Sequence, residues 1–184
     1  MKKKLIIKVE KHKVEQNMAR CTFSFEEHQE LVRGYILDYS EQLIVFQECD
    51  NFMIQPYGYK ILPIKNLEAL RFNKFDRFCD FIYKSEEQTQ YLHKPQHLKL
   101  DNWRMLFEEL QANSKTVIVE HLVKGDFVRF TIGKIISIQN KSVKILNFDA
   151  AGVWDEKTTN IKFKNIWCAN FDDSYSVIFS KYVK

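Results

Sequence analysis

The side chains able to do chemistry in this 184-residue chain are scattered rather than grouped. Cys21, Cys49, Cys79 and Cys168 show no C-x-x-C spacing, and nothing near them in sequence would draw out a thiolate. His93 and His97 stand four apart, the spacing of two metal ligands on one helical face, but Pro95 between them breaks such a helix. Asp149, Asp155 and Glu156 share a segment that lacks the alternating oxygen ligands and the glycine of a calcium loop. No G-x-S-x-G, P-loop, H-E-x-x-H or G-x-G-x-x-G occurs. The expectation is a protein with no catalytic residues, no metal and no cofactor, and hence not an enzyme.

Binding chemistry remains. Aromatic residues make up 14% of the chain, and Tyr57, Tyr59 and Trp154 fall in two long irregular segments where an exposed ring anchors a peptide or stacks on a base. Residues 1–20 hold Lys2, Lys3, Lys4, Lys8, Lys11, Lys13 and Arg20 against Glu10 and Glu15, a local +5 in a chain whose net charge is +4. The remainder is therefore at −1, and any contact with phosphates must rest on this N-terminal arm. Its alternative reading is a solvated N-terminal strand whose lysines protect a sheet edge.

The elements that must position these groups repeat. At an offset of 99, Gly34 falls on Gly133, Ile36 on Ile135, Leu37 on Ile136, Ile44 on Val143, Phe46 on Ile145 and Phe72 on Phe171. Leu62-Pro-Ile-Lys-Asn-Leu67 falls on Ile161-Lys-Phe-Lys-Asn-Ile166, so Lys65-Asn66 and Lys164-Asn165 are a polar pair shared by both copies. A turn accounts for them, since Asn tolerates the left-handed conformation; they are also candidate contacts. Each copy reads as five short strands: 18–25, 31–39, 43–47, 59–64 and 67–72, then 116–120, 127–138, 142–148, 160–163 and 166–171. Lys124-Gly125-Asp126 makes a turn, and Gly34 and Gly133 sit inside strands where the chain must bend.

Phe78, Phe81 and Ile82, and likewise Ile178, Phe179 and Tyr182, are spaced for one face of a short helix that caps a barrel end. Residues 85–99 form a polar linker. A helix follows, with Trp103, Leu106, Phe107 and Leu110 on one face, Asp101 or Asn102 as N-cap and Asn113 near its stop. The domains are thus 1–84, a first barrel with a C-terminal helical segment; 85–99, the linker; and 100–184, a helix plus a second barrel.

A helix followed by five bent antiparallel strands resembles the Sm-like members of the SH3-type barrel group. Gly34-Tyr-Ile-Leu-Asp38-Tyr-Ser-Glu-Gln-Leu-Ile-Val-Phe46 is similar to the first Sm motif, while the second copy has Ser137 where Asp38 stands. Both copies have Lys-Asn where that family has Arg-Gly. The whole chain resembles bacterial proteins with a two-barrel layout. The expected fold class is mainly β with a few helices: two tandem five-stranded SH3/Sm-like barrels from an internal duplication.

Hydrophobic residues at 45% and charged residues at 28% exclude a disordered, collagenous or membrane-embedded chain. The start carries no signal-peptide core, since Leu5-Ile6-Ile7 is broken by Lys8, and no apolar run approaches the roughly 18 residues needed to cross a bilayer. A cytoplasmic protein with reduced cysteines is expected, with no membrane partner. Two functions stand open. One is a module binding a protein partner or a second copy of itself. The other is an Sm-like binder of single-stranded RNA using the basic arm on phosphates and aromatics on bases.

Overall fold

The computed structural model describes residues 2–49, 57–95, 98–123 and 127–184. The turn expected at Lys124-Gly125-Asp126, His97 and the side chains of Lys2 and Tyr57 lie outside the described residues. The chain is mainly β and groups into two units, residues 1–57 with 63–95, and residues 58–62 with 96–184.

The first unit opens with helix α1 (Lys2–Val14) and continues through strands β1 (Met18–Phe25), β2 (His28–Tyr39) and β3 (Leu43–Glu48). Next come β4 (Tyr57–Pro63), whose residues 58–62 group with the second unit, a 3-10 turn (Ile64–Asn66), β5 (Leu67–Arg71), helix α2 (Lys74–Ser85) and a second 3-10 turn (Gln88–Tyr91). The N-terminal arm is therefore a helix and not a strand. Leu5, Ile6, Val9, His12 and Lys13 are its least exposed positions, at the spacing of one helical face. Lysine and glutamate, good helix formers, fill most of the rest.

In the second unit helix α3 (Trp103–Ala112) leads into β6 (Thr116–Val123), β7 (Phe127–Ile138), β8 (Ser142–Asn147) and β9 (Thr159–Lys162). A 3-10 turn (Phe163–Asn165), β10 (Ile166–Phe171) and helix α4 (Ser174–Phe179) follow. Asn102 caps α3, its side chain accepting from the Met105 N–H at 3.0 Å, and Trp103, Leu106, Phe107 and Leu110 are buried.

All pairings given for the strands are antiparallel, and the ten strands form one sheet in the order β5-β1-β2-β3-β4-β10-β6-β7-β8-β9. The fold is mainly β with a few helices, as expected; its strands lie in one sheet that does not close, so the finer expectation of two tandem five-stranded barrels is not shown by it. In a closed five-stranded barrel the fourth strand would return to the fifth. Here the Tyr59, Lys60 and Ile61 stretch of β4 pairs instead with Phe171, Asn170 and Ala169 of β10.

Gly34 and Gly133 are needed because the neighbouring strand passes too close for a side chain. A Cβ on Gly34 would run into the carbonyl of Gln47, and one on Gly133 into the carbonyl of Leu146. The ladder slips just beyond each, between Ile36 and Asp38 and between Ile135 and Ser137, which lets β2 and β7 bend.

Each unit has buried clusters of its own. In the first, Phe23 and Phe46 meet edge to face, and Met18, Tyr35, Cys49 and Tyr83 form a buried cluster. In the second, Trp103, Phe107 and Phe163 stack in series at 5.9 and 6.0 Å, and Ile118, Ile132 and Phe148 pack beneath Trp154 and Tyr175.

Candidate functional site

Helix α2 is turned the opposite way from its apolar pattern. The expected arrangement has Phe78, Phe81 and Ile82 capping a barrel end, but the structure exposes them. Phe75 is 66% exposed and Phe78 and Phe81 are each 63% exposed, whereas Asp76, Asp80 and Tyr83 are buried. At 100° per residue, positions 76, 80 and 83 share one face and positions 75, 78 and 82 lie on another, with 81 beside them.

The inward aspartates are held by specific partners. Asp76 accepts from Nε and Nη2 of Arg71, both at 2.9 Å, and from the Asn73 N–H at 2.9 Å, which closes a capping box. Asp80 accepts from the Met18 N–H at 2.9 Å, the Tyr35 hydroxyl at 3.0 Å and Lys84 Nζ at 2.7 Å. Burial works to raise the Asp76 pKa, but the Arg71 and Asn73 bonds prevail and hold it below the ordinary carboxylate value. Burial together with Asp80 pushes the Tyr35 phenol far up, so it stays a donor. Each aspartate has its partners, and the phenylalanines are left on the outside.

Helix α4 behaves alike. Asp173 caps it by accepting from the N–H groups of Tyr175 and Ser176, Ser176 is buried, and Ile178, Phe179 and Tyr182 are exposed. Beside them Phe130 of β7, half exposed, lies 6.1 Å from the Tyr175 ring.

Helix α1 supplies the basic groups. Lys4, Lys8 and Lys11, at i, i+4 and i+7, line two neighbouring clefts against the end of β5. One, of about 290 Å³, is shared with His12, Glu15, Asn17, Leu70 and Phe72; the other, of about 230 Å³, includes Glu68 and Ala69. On the opposite flank a third cleft of about 310 Å³ runs from Leu5 and Ile6 to Tyr39, Ser40 and Lys65. Burial lowers the His12 pKa, which keeps that imidazole neutral inside the first cleft. Phe72 joins the two helices: its ring meets His12 edge-on at 5.0 Å and Arg77 of α2 lies over it at 6.0 Å.

Of the other residues singled out by sequence, Lys3 is exposed on α1. Lys13 is tied down, pairing with Asp38 at 2.9 Å, and Lys94 holds the second oxygen of the same carboxylate. Burial opposes ionisation of Asp38, yet the two lysines keep its pKa below the usual range. Lys65 and Lys164 are exposed, and Asn66 and Asn165 are half-buried. All four lie in the 3-10 turns, and neither asparagine is left-handed, contrary to expectation. Asn165 instead donates to the Leu122 carbonyl at 3.3 Å.

Tyr59 is half-buried and stacks on Phe171 at 4.9 Å, while Trp154 meets Phe148 edge-on and carries Lys134 over its face at 4.8 Å. Both rings are used in packing. Tyr57 begins β4.

The four cysteines are free, and burial pushes the thiol of Cys21 far up and that of Cys49 to about 12, away from nucleophilic thiolate. Among the described residues no three His, Cys, Asp or Glu side chains cluster to hold a metal, and no helix is long and apolar enough to cross a membrane. Comparison with protein-family models, with curated proteins and with solved structures returns no match for this chain.

Proposed function

We propose that this protein is a non-enzymatic binding module that mediates protein–protein interaction through α2. One observation carries this reading: three phenylalanines, each at least 63% exposed, on one helix whose own carboxylates face inward. Clustered exposed aromatic surface of this kind marks interaction sites, because a partner gains the transfer free energy that folding left unused. The architecture behind it is an internal duplication of an SH3/Sm-like unit. Its support is that the order helix, four strands, 3-10 turn, strand, helix occurs twice, with β2 and β7, β3 and β8, and the two 3-10 turns before β5 and β10 each offset by 99. The strand orders β5-β1-β2-β3-β4 and β10-β6-β7-β8-β9 also correspond.

Affinity capture with the wild-type chain and with a Phe75→Ser, Phe78→Ser, Phe81→Ser triple variant tests the reading. Protein partners recovered only by the wild type are expected; identical partner sets for both proteins would exclude α2 as the surface.

A second reading rests on a separate observation, the Lys4, Lys8 and Lys11 row along two clefts. It makes the protein a single-stranded RNA binder whose phosphates run beside α1. Anisotropy of labelled RNA against wild type and a Lys4→Glu, Lys8→Glu, Lys11→Glu variant at two salt concentrations tests it. Steeply salt-dependent binding that the variant loses would support it, and no binding at low salt would remove it.

A further inference from the structure

We propose that the partner taken by the α2 face is an amphipathic helix carrying acidic residues toward one end; this rests on the protein-interaction reading above. Phe75, Phe78 and Ile82, at i, i+3 and i+7 with Phe81 alongside, form a ridge of the pitch that a second helix packs against. The charges flanking that ridge are sorted. Asp76 and Asp80 are each 5% exposed and bound inside, so every charged side chain that α2 itself presents to solvent is positive: Lys74, Arg77 and Lys84. Lys84 is already paired with Asp80 at 2.7 Å, which leaves Lys74 and Arg77, both in the first turn or just beyond it, as the cations of α2 with no carboxylate partner among the described residues; Arg77 also donates to the Phe72 carbonyl at 3.2 Å. Lys74 lies over the Phe75 ring at 5.1 Å, so the charge adjoins the apolar ridge.

Past the other end of the helix stand Glu86 and Glu87, both exposed. The surface therefore runs from positive to negative along its length. A uniformly anionic partner, such as a lipid surface or a phosphate chain, would gain at Lys74 and Arg77 and be repelled at Glu86 and Glu87. A short helix with an apolar stripe and its carboxylates at one end satisfies both.

The test uses the full chain and a fluorescein-labelled synthetic helix of about 18 residues with leucine at i, i+3, i+4 and i+7, glutamates at one end and glutamine elsewhere. Its twin carries glutamines in place of the glutamates. Fluorescence anisotropy is expected to show the acidic peptide binding at least about tenfold more tightly than the neutral twin. Phe78→Ala should weaken the acidic peptide by about tenfold. Lys74→Glu with Arg77→Glu should reverse the preference between the twins. These positions are exposed, and an unchanged circular dichroism melt verifies that each variant folds.

Equal affinity for the twins would overturn the acidic assignment while leaving protein interaction at α2 standing. Binding of neither peptide would overturn it too, as would binding to phosphatidylserine vesicles or single-stranded RNA that Phe78→Ala abolishes. The interaction reading itself fails separately, if capture by the wild type and by the triple variant is identical.

Discussion

Asp80 is the residue on which the orientation of α2 turns. A carboxylate buried to 5% exposure is tolerable only with its acceptor capacity filled, and here a backbone N–H, a phenol and an ammonium fill it. Asp80→Asn places an amide where three donors converge and is expected to destabilise the fold by about 1 to 3 kcal/mol, read as a lower urea midpoint. A midpoint equal to wild type would mean that these bonds do not orient the helix. Asp76 makes a pH prediction. Its folded pKa lies below the unfolded value, so its contribution is fully present above about pH 4 and is lost as the pH falls through the depressed folded value. Asp76→Asn should flatten the acid limb of stability against pH, and a wild-type slope below pH 4 in that variant would contradict the assignment.

At the scale of elements, the strands and the buried face of α3 were legible, and the faces of α1 and α2 were not. The alternation around Gly34 and Gly133 marks β2 and β7 plainly, and β1, β7 and β10 match the expected strands at both ends because turns and glycines punctuate them. Gly133→Ala is expected to cost more than about 3 kcal/mol, beyond an ordinary glycine-to-alanine exchange, since the clash is with backbone that cannot rotate away. Thermal unfolding checks it; a melting temperature within a few degrees of wild type would refute the close approach. Helix α1 was missed because Leu5-Ile6-Ile7 imitates a strand, although Leu5, Val9 and His12 carry the helical period. For α2 the apolar stripe was read correctly and its direction inverted. Composition cannot reveal that Tyr35 and the Met18 N–H, distant in sequence, wait inside for Asp80, or that Arg71, five residues before Asp76, turns back to pair with it. The candidate site was hidden for the same reason: Tyr59 and Trp154, the rings singled out by loop position, are used in packing, and the exposed rings sit where a core face was expected.

For the whole molecule, the same order of elements occurs twice, and each copy closes on a helix with phenylalanine outward: Phe75, Phe78 and Phe81 on α2, and Phe179 on α4. Those rings add little to cores that are already packed, and on the proposed reading they serve association rather than folding. The basic row on α1 is a separate surface of the first unit, which α2 meets through Phe72 and through Lys84, whose Nζ donates to Asn17 at 2.9 Å. Photo-crosslinking in the producing cells from a benzophenone amino acid at position 78, with position 157 as an exposed control, tests the central claim most directly. The account predicts a discrete protein adduct from position 78 and none from position 157. An adduct with RNA, or no adduct at position 78, would contradict it.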